Sequence, residues 1–259
     1  MDAQVLAQED FVPPGVADFF LPPIFGGVDK AMVLLVLSVL IISVFFVVAA
    51  RRMQVVPSRF QFIAESIYNF PRNNIAREQL GSEHFRPFIP FFVALFTFIL
   101  VNNLYGIIPF IQFPTMSHIA FPLAISVLIV YPMWNIVGIR KHGFVGHFKH
   151  QLMPPGAPTL VYFLLVPIEL FIKFFMNPLT LAIRVFAAMF AGHLLLLVFT
   201  LGGEYLLLEA APALKPVSLM SWAAVIALTF LEALIQVIQA YIFALLAASY
   251  VGQALAEEH

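Results

Sequence analysis

The chain has 259 residues, of which 62% are hydrophobic and only 10% charged; its mean hydropathy is +0.97. A soluble domain is nearer a quarter charged, so the composition is that of an integral membrane protein, and the long unbroken apolar runs make it helical rather than a barrel. A net charge of −1 offers no basic surface for nucleic acid, and the lack of cysteine excludes disulfides, thiol catalysis and thiolate metal sites.

Residues 1–30 are acidic, with one lysine and proline pairs at 13–14 and 22–23. Their charge is wrong for a signal peptide, and they read as a short translocated tail. Residues 31–50 carry no charge and form one span, closed by Arg51 and Arg52. In 57–81, Phe60, Ile63, Ile67 and Phe70 recur at helical spacing among Arg59, Glu65 and Arg72, the pattern of an amphipathic helix at the interface. Residues 87–139 contain no Asp, Glu, Lys or Arg, enough for two spans (87–111 and 118–139) turning near "QFPTMSH" at 112–118. A basic, histidine-containing loop at 140–151 and the sequence "PPGAP" at 154–158 follow. An apolar stretch then covers 159–201, too long for one upright span; it is either strongly tilted or broken near Asn177-Pro178. After a short loop the last helix runs over 217–255.

The expectation is an all-α integral membrane protein. It has an external tail (1–30) and one transmembrane domain (31–259) of about five spans, with an interfacial helix and a long tilted final hairpin. The loops after the first span and at 140–151 hold nine of the thirteen Lys and Arg, which places the N-terminus outside and the C-terminus in the cytoplasm. No internal repeat of the transporter kind is visible.

Four ionisable residues interrupt the 159–201 stretch, at roughly 2.5–3.5 kcal/mol each for a cation or carboxylate at the centre of a spanning helix. Glu169 and Lys173 are four apart with the acid first; they form a local salt bridge, or Glu169 is a carboxylate facing water. Arg184 has no partner within four residues. It either pairs with a distant carboxylate or is a fixed charge presented to another surface. Ala187, Ala188 and Ala191 share its face and form a smooth strip on which a partner helix can approach closely. Arginine keeps its proton, so Arg184 can attract a carboxylate or bar a cation but cannot relay a proton.

On the last helix Glu232, Gln236 and Gln239 form a polar stripe, read either as interhelical glue or as a polar path. In an antiparallel hairpin, residues at one depth have a constant index sum. Arg184 with Gln239 gives 423 and His193 with Glu232 gives 425, so one geometry brings both pairs to matching depths. Imidazole and carboxylate, with ordinary pKa values of about 6.5 and 4.3, can exchange protons there. Arg184 and His193 are nine apart, about half a turn out of phase on a straight helix. Arg184 can then face a partner while His193 faces a water path behind it.

Three segments resemble subunit a of bacterial F-type ATP synthases: "NPLTLAIRVFAAMFAGHLL" (177–195), "NLYGIIP" (103–109) and "IQAYIFALLAASYVGQALAEEH" (238–259). The His-then-Glu order is similar to that of actinobacterial and mitochondrial members. The resemblance implies a proton-conducting stator in a bacterial plasma membrane, without cofactor, metal or nucleotide chemistry of its own. Its partners would be the c-subunit ring, b-type peripheral stalk subunits and the rest of the synthase. Arg184 would face the ring carboxylates, His193 and Glu232 would serve the outer half-channel, and Gln239 would stand opposite the arginine. Gln236 continues that stripe, Asn103 would lie near the outer path, and Glu169 would serve the cytoplasmic half-channel. Ala187-Ala188 departs from the Gly-Asn of many members, and the resemblance places no role on Lys173. Two other classes are a secondary transporter binding an anion at Arg184 and an intramembrane enzyme or haem protein. The second lacks any HExxH, and only His118 and His193 lie within spans or at their ends.

Overall fold

The computed structural model describes residues 11, 13–15, 19, 22, 26–51, 53–153, 159–210 and 212–256. Arg52, "PPGAP" and most of the 1–30 tail therefore lie outside the described residues. Among the described residues nine α-helices follow in order: α1 (Lys30–Arg51), α2 (Arg59–Pro71), α3 (Glu78–His84), α4 (Ile89–Leu104), α5 (Ala120–Ile125), α6 (Tyr131–Leu152), α7 (Thr159–Phe171), α8 (Asn177–Leu208) and α9 (Lys215–Leu255). Among the described residues five helical stretches are long and apolar enough to cross a membrane: Lys30–Arg51, Arg86–Leu104, Ala120–Leu152, Val161–Leu208 and Pro212–Leu255.

α2 is capped by Ser58, whose hydroxyl accepts from the Gln61 N–H and so satisfies one of the free donors of the first turn. Its helix continues through a π segment, Arg72–Arg77, into α3. The second and third crossings are joined by a loop around the 3₁₀ turn Thr115–Ser117. α4 ends at Leu104, so "YGIIP" belongs to that loop rather than to the span expected to reach 111.

Two further π segments, Ser126–Val130 and Ile172–Met176, join α5 to α6 and α7 to α8. Each lies directly before a helix with proline in its first turn, Pro132 or Pro178. A proline ring clashes with the carbonyl four residues back, and a widened turn relieves that contact without ending the helix. The helix is thus continuous past Asn177-Pro178 rather than broken. Val161–Leu208 has 48 residues. At 1.5 Å per residue that is about 72 Å, more than twice the hydrocarbon thickness, so the helix crosses steeply tilted.

The segment 140–151, expected as a loop, is helical. Gly143 has φ 75° and ψ 169°, a conformation open to glycine, and folds α6 back on itself. The two arms meet where the His147 ring covers Gly138; a Cβ at Gly138 would lie 2.0 Å from His147 Nδ1.

The core is apolar and centred on α4, α8 and α9, with Phe92, Ile99, Leu181, Met189, Phe243 and Val251 fully enclosed. Alanines at 240, 244, 247 and 248 let α9 lie close against its neighbours. The last turn of α9 is held from α6, where Lys141 Nζ donates to the Leu255 carbonyl and His142 Nε2 lies 3.2 Å from the Ala254 carbonyl.

Candidate functional site

α8 and α9 pack as an antiparallel hairpin, and two glycines mark its register. Gly203 lies against Ser221 and Trp222, and Gly192 lies against Glu232. A Cβ at Gly192 would be 3.5 Å from Glu232 Cγ and 3.6 Å from Oε1. The register is the one expected from the index sums, because two long apolar helices joined by a short connection have little freedom to slide.

The two faces of α8 carry different chemistry. Arg184, Ala187 and Ala191 are exposed, whereas Val185, Met189, His193 and Leu196 are buried. Arg184 makes no hydrogen bond or ion pair with any described residue. Gln239 is half-buried and makes no hydrogen bond to Arg184; its Oε1 is enclosed without a partner.

Behind this face a polar cluster joins α4, α8 and α9. Gln236, fully buried, donates from Nε2 to Glu232 Oε1 at 3.2 Å. Asn103, also fully buried, donates from Nδ2 to the Gln236 carbonyl at 3.2 Å. Gly106 brings the 105–114 loop against the same glutamine, its Cβ position being 3.1 Å from Gln236 Nε2. His193 is buried beside Gly192, with its ring edge-on to Phe19 at 5.7 Å. Glu232 Oε2, His193 Nδ1, Gln236 Oε1 and Asn103 Oδ1 have no hydrogen-bond partner. Three of these atoms belong to the hydrogen-bonded Asn103–Gln236–Glu232 group, and His193 adjoins it through Gly192.

Glu169 lies away from this cluster, paired with Lys173 at 3.4 Å, both side chains about a quarter exposed. Lys173 also donates to the Gln151 carbonyl at 2.6 Å, tying the π segment to the second arm of α6. Beside it is a water-sized cavity of about 20 Å³, lined by Ser126, Tyr131, Lys173, Asn177, Tyr250 and Gln253. Of the polar residues of this cavity, reading the sequence singled out Lys173 as a charge and Asn177 only as a possible helix break, because tyrosine, serine and glutamine near helix ends are unremarkable one at a time.

The residues 31–252 match the family model described as ATP synthase A chain. The chain belongs to the ATP synthase A chain family. It is 45% identical to the ATP synthase subunit a of a Nocardioides species, over 97% of this chain and 95% of the relative. It is 43% identical to the subunit a of Pseudarthrobacter chlorophenolicus over 96% of each chain. Against that of Rhodococcus erythropolis it is 37% identical over 100% of this chain and 96% of the relative. Members of the ATP synthase A chain family are multi-pass proteins of the synthase's membrane sector that serve proton translocation, and the five crossings seen here suit that place.

Proposed function

We propose that this chain is the stator that carries protons to and from a rotating ring of c subunits through two offset half-channels, with Arg184 between them. The observation that carries the reading is the division of one helix hairpin. A lone arginine lies on an exposed strip of alanines, and a buried imidazole, carboxylate and two amides stand behind it.

In this reading a proton enters from outside, passes His193 and Glu232 with Asn103 and Gln236 alongside, and protonates a ring carboxylate. After rotation it leaves on the cytoplasmic side past Glu169, beside the cavity between Tyr131 and Tyr250. Arg184 attracts the deprotonated ring carboxylate and bars direct passage between the paths, since a cation would have to pass a fixed positive charge. Each proton gains about 2.3 kcal/mol per 100 mV of membrane potential, which the ring turns into torque. The N-terminus lies outside and the C-terminus inside, following the basic loops. The ring and b-type peripheral stalk subunits are the partners, and nucleotide chemistry takes place elsewhere in the synthase.

The test is Arg184→Ala in the assembled complex. ATP-driven proton pumping and ATP synthesis should be lost with subunit content unchanged, because Arg184 makes no hydrogen bond or ion pair among the described residues. Arg184→Lys should fail as well, since an ammonium can deprotonate in a low-dielectric site and cannot present a planar fork. Coupled synthesis near the native rate in either variant would refute the reading.

A further inference from the structure

A second cation stands near His193. Lys30, the first residue of α1, reaches across to the 105–114 loop, where its ammonium donates to the Ile111 carbonyl at 2.7 Å and lies 5.5 Å from the centre of the Phe113 ring. The loop is strained there. Phe110 has φ 71° and Gln112 φ 39°, and Ile111 is the residue between them. Such conformations persist only where surrounding contacts enforce them; here Lys30 supplies one.

The same ammonium and the loop line a cavity of about 400 Å³ together with His193, with Leu197 one turn further along α8 and Phe19 forming part of its wall. Phe19 is buried and packs on Phe190 as well as on His193. Lys30 is the one charged side chain among the cavity's described lining residues, and His193 is the one other titratable group. His118 lies behind Phe113, with ring centres 5.4 Å apart.

We propose that Lys30 is a specificity-determining residue for ion entry: its ammonium, held by the Ile111 carbonyl in the cavity that His193 also lines, turns back metal cations while protons still cross. The inference rests on the reading of His193 as an acceptor on the outer path. A low-dielectric cleft focuses the field of a single charge, so a hydrated metal ion meets its full repulsion. A proton need not travel as a cation. His193 can take it from water or from a weak acid, leaving hydroxide or the conjugate anion, and a nearby ammonium stabilises that anion. Lys30 sits within contact of the strained turn, so the charge is held in place.

The chain has no cysteine of its own, and a Leu197→Cys substitution puts one thiol in the cavity. The assembled complex in detergent, with both faces open, is treated with an anionic sulfonatoethyl or a cationic trimethylammonioethyl thiosulfonate, and labelling of this chain is followed by mass. The anionic reagent should react faster. Lys30→Gln should lower the anion-to-cation rate ratio at least about fivefold, the size expected of one nearby charge, whereas Lys30→Arg should preserve it. A role confined to holding the loop would give Gln and Arg variants the same ratio and would overturn the proposal. So would failure of both reagents to label Leu197→Cys and, at the mouth, Gln112→Cys. In liposomes with the ring present and the catalytic head removed, sodium chloride in place of choline chloride outside should slow proton conductance in the Lys30→Gln complex and not in the native one. Equal sodium sensitivity would refute the specificity role. A labelled Leu197→Cys complex that conducts protons normally, with the rate ratio still dependent on Lys30, would instead remove the outer path through His193, and the specificity role with it.

Discussion

Glu232 of α9 lies directly over Gly192 of α8, its Cγ 3.5 Å from where a Cβ on that glycine would stand. The carboxylate thereby meets α8 one residue from His193, and both side chains are buried with an unpaired polar atom each. Two titratable groups that the hairpin brings to one depth of the buried interior should work as a unit.

Removing either His193 or Glu232 should therefore cost most of the passive proton flux, and removing both should cost little more than the worse single change. Exchanging them, His193→Glu with Glu232→His, should restore part of the flux lost in either single variant. A double-mutant cycle on conductance in liposomes, with the ring present and the head removed, measures this. Additive losses in log rate with no rescue would show that the residues do not share a path.

The neighbouring asparagines should separate. Asn102 donates to Ser38 Oγ at 2.9 Å and accepts from Thr115 Oγ1 at 2.7 Å, binding α1, α4 and the following loop together. Its loss removes both links between the segments, about 0.5–1.5 kcal/mol each, and leaves Ser38 and Thr115 only their bonds to the Leu35 and Asn102 backbone carbonyls. Asn102→Ala should thus reduce thermal stability and the yield of complex, with flux per assembled complex kept. Asn103→Ala should lower flux per complex instead. Thermal unfolding and conductance on the same preparations decide it, and a matching pattern in the two variants would count against the division.

Lys173 and Glu169 should also part company. A partly exposed ion pair is worth at most about 1 kcal/mol, but Lys173 also holds the Gln151 carbonyl. Lys173→Ala should chiefly lower the amount of assembled complex. Glu169→Gln should chiefly lower pumping per complex if the carboxylate serves the inner path. Pumping rates normalised to subunit content distinguish a shared structural role from this division.

At Gly138 a methyl group would overlap the His147 ring, whose Nδ1 would be 2.0 Å away. Gly138→Ala should destabilise the folded-back arm of α6 by roughly 1–3 kcal/mol, the usual cost of overpacking. His147→Ala in the same chain should recover most of that loss, because it removes the atoms in conflict. Unfolding curves of the single and double variants give the answer, and no rescue would place the strain elsewhere.

The number of crossings, the outlying charges and the hairpin register followed from the sequence because each depends on local or one-dimensional quantities. Apolar run length sets a span, a lone arginine in an apolar helix signals itself, and equal depth along two antiparallel helices is simple counting. Which way each side chain points needed the tertiary structure, since one residue of rotation turns a helix by about 100° and a π segment shifts every later face. That is why Arg184 and His193 could be seen to differ in phase, but not which packed neighbours each would meet. Asn103 and Gln236 are 133 residues apart, and Lys30 and Ile111 are 81 apart. Such contacts are made by the packing of whole helices and leave no periodic trace. The turn at Gly143 was equally hidden: a basic, glycine-containing segment reads as loop, and only the packing of His147 on Gly138 makes it two helical arms. Lys30, an ordinary flanking lysine in the sequence, becomes a charge in the cavity that His193 also lines because α1 packs against the loop that follows α4, bringing two remote segments to one end of the bundle.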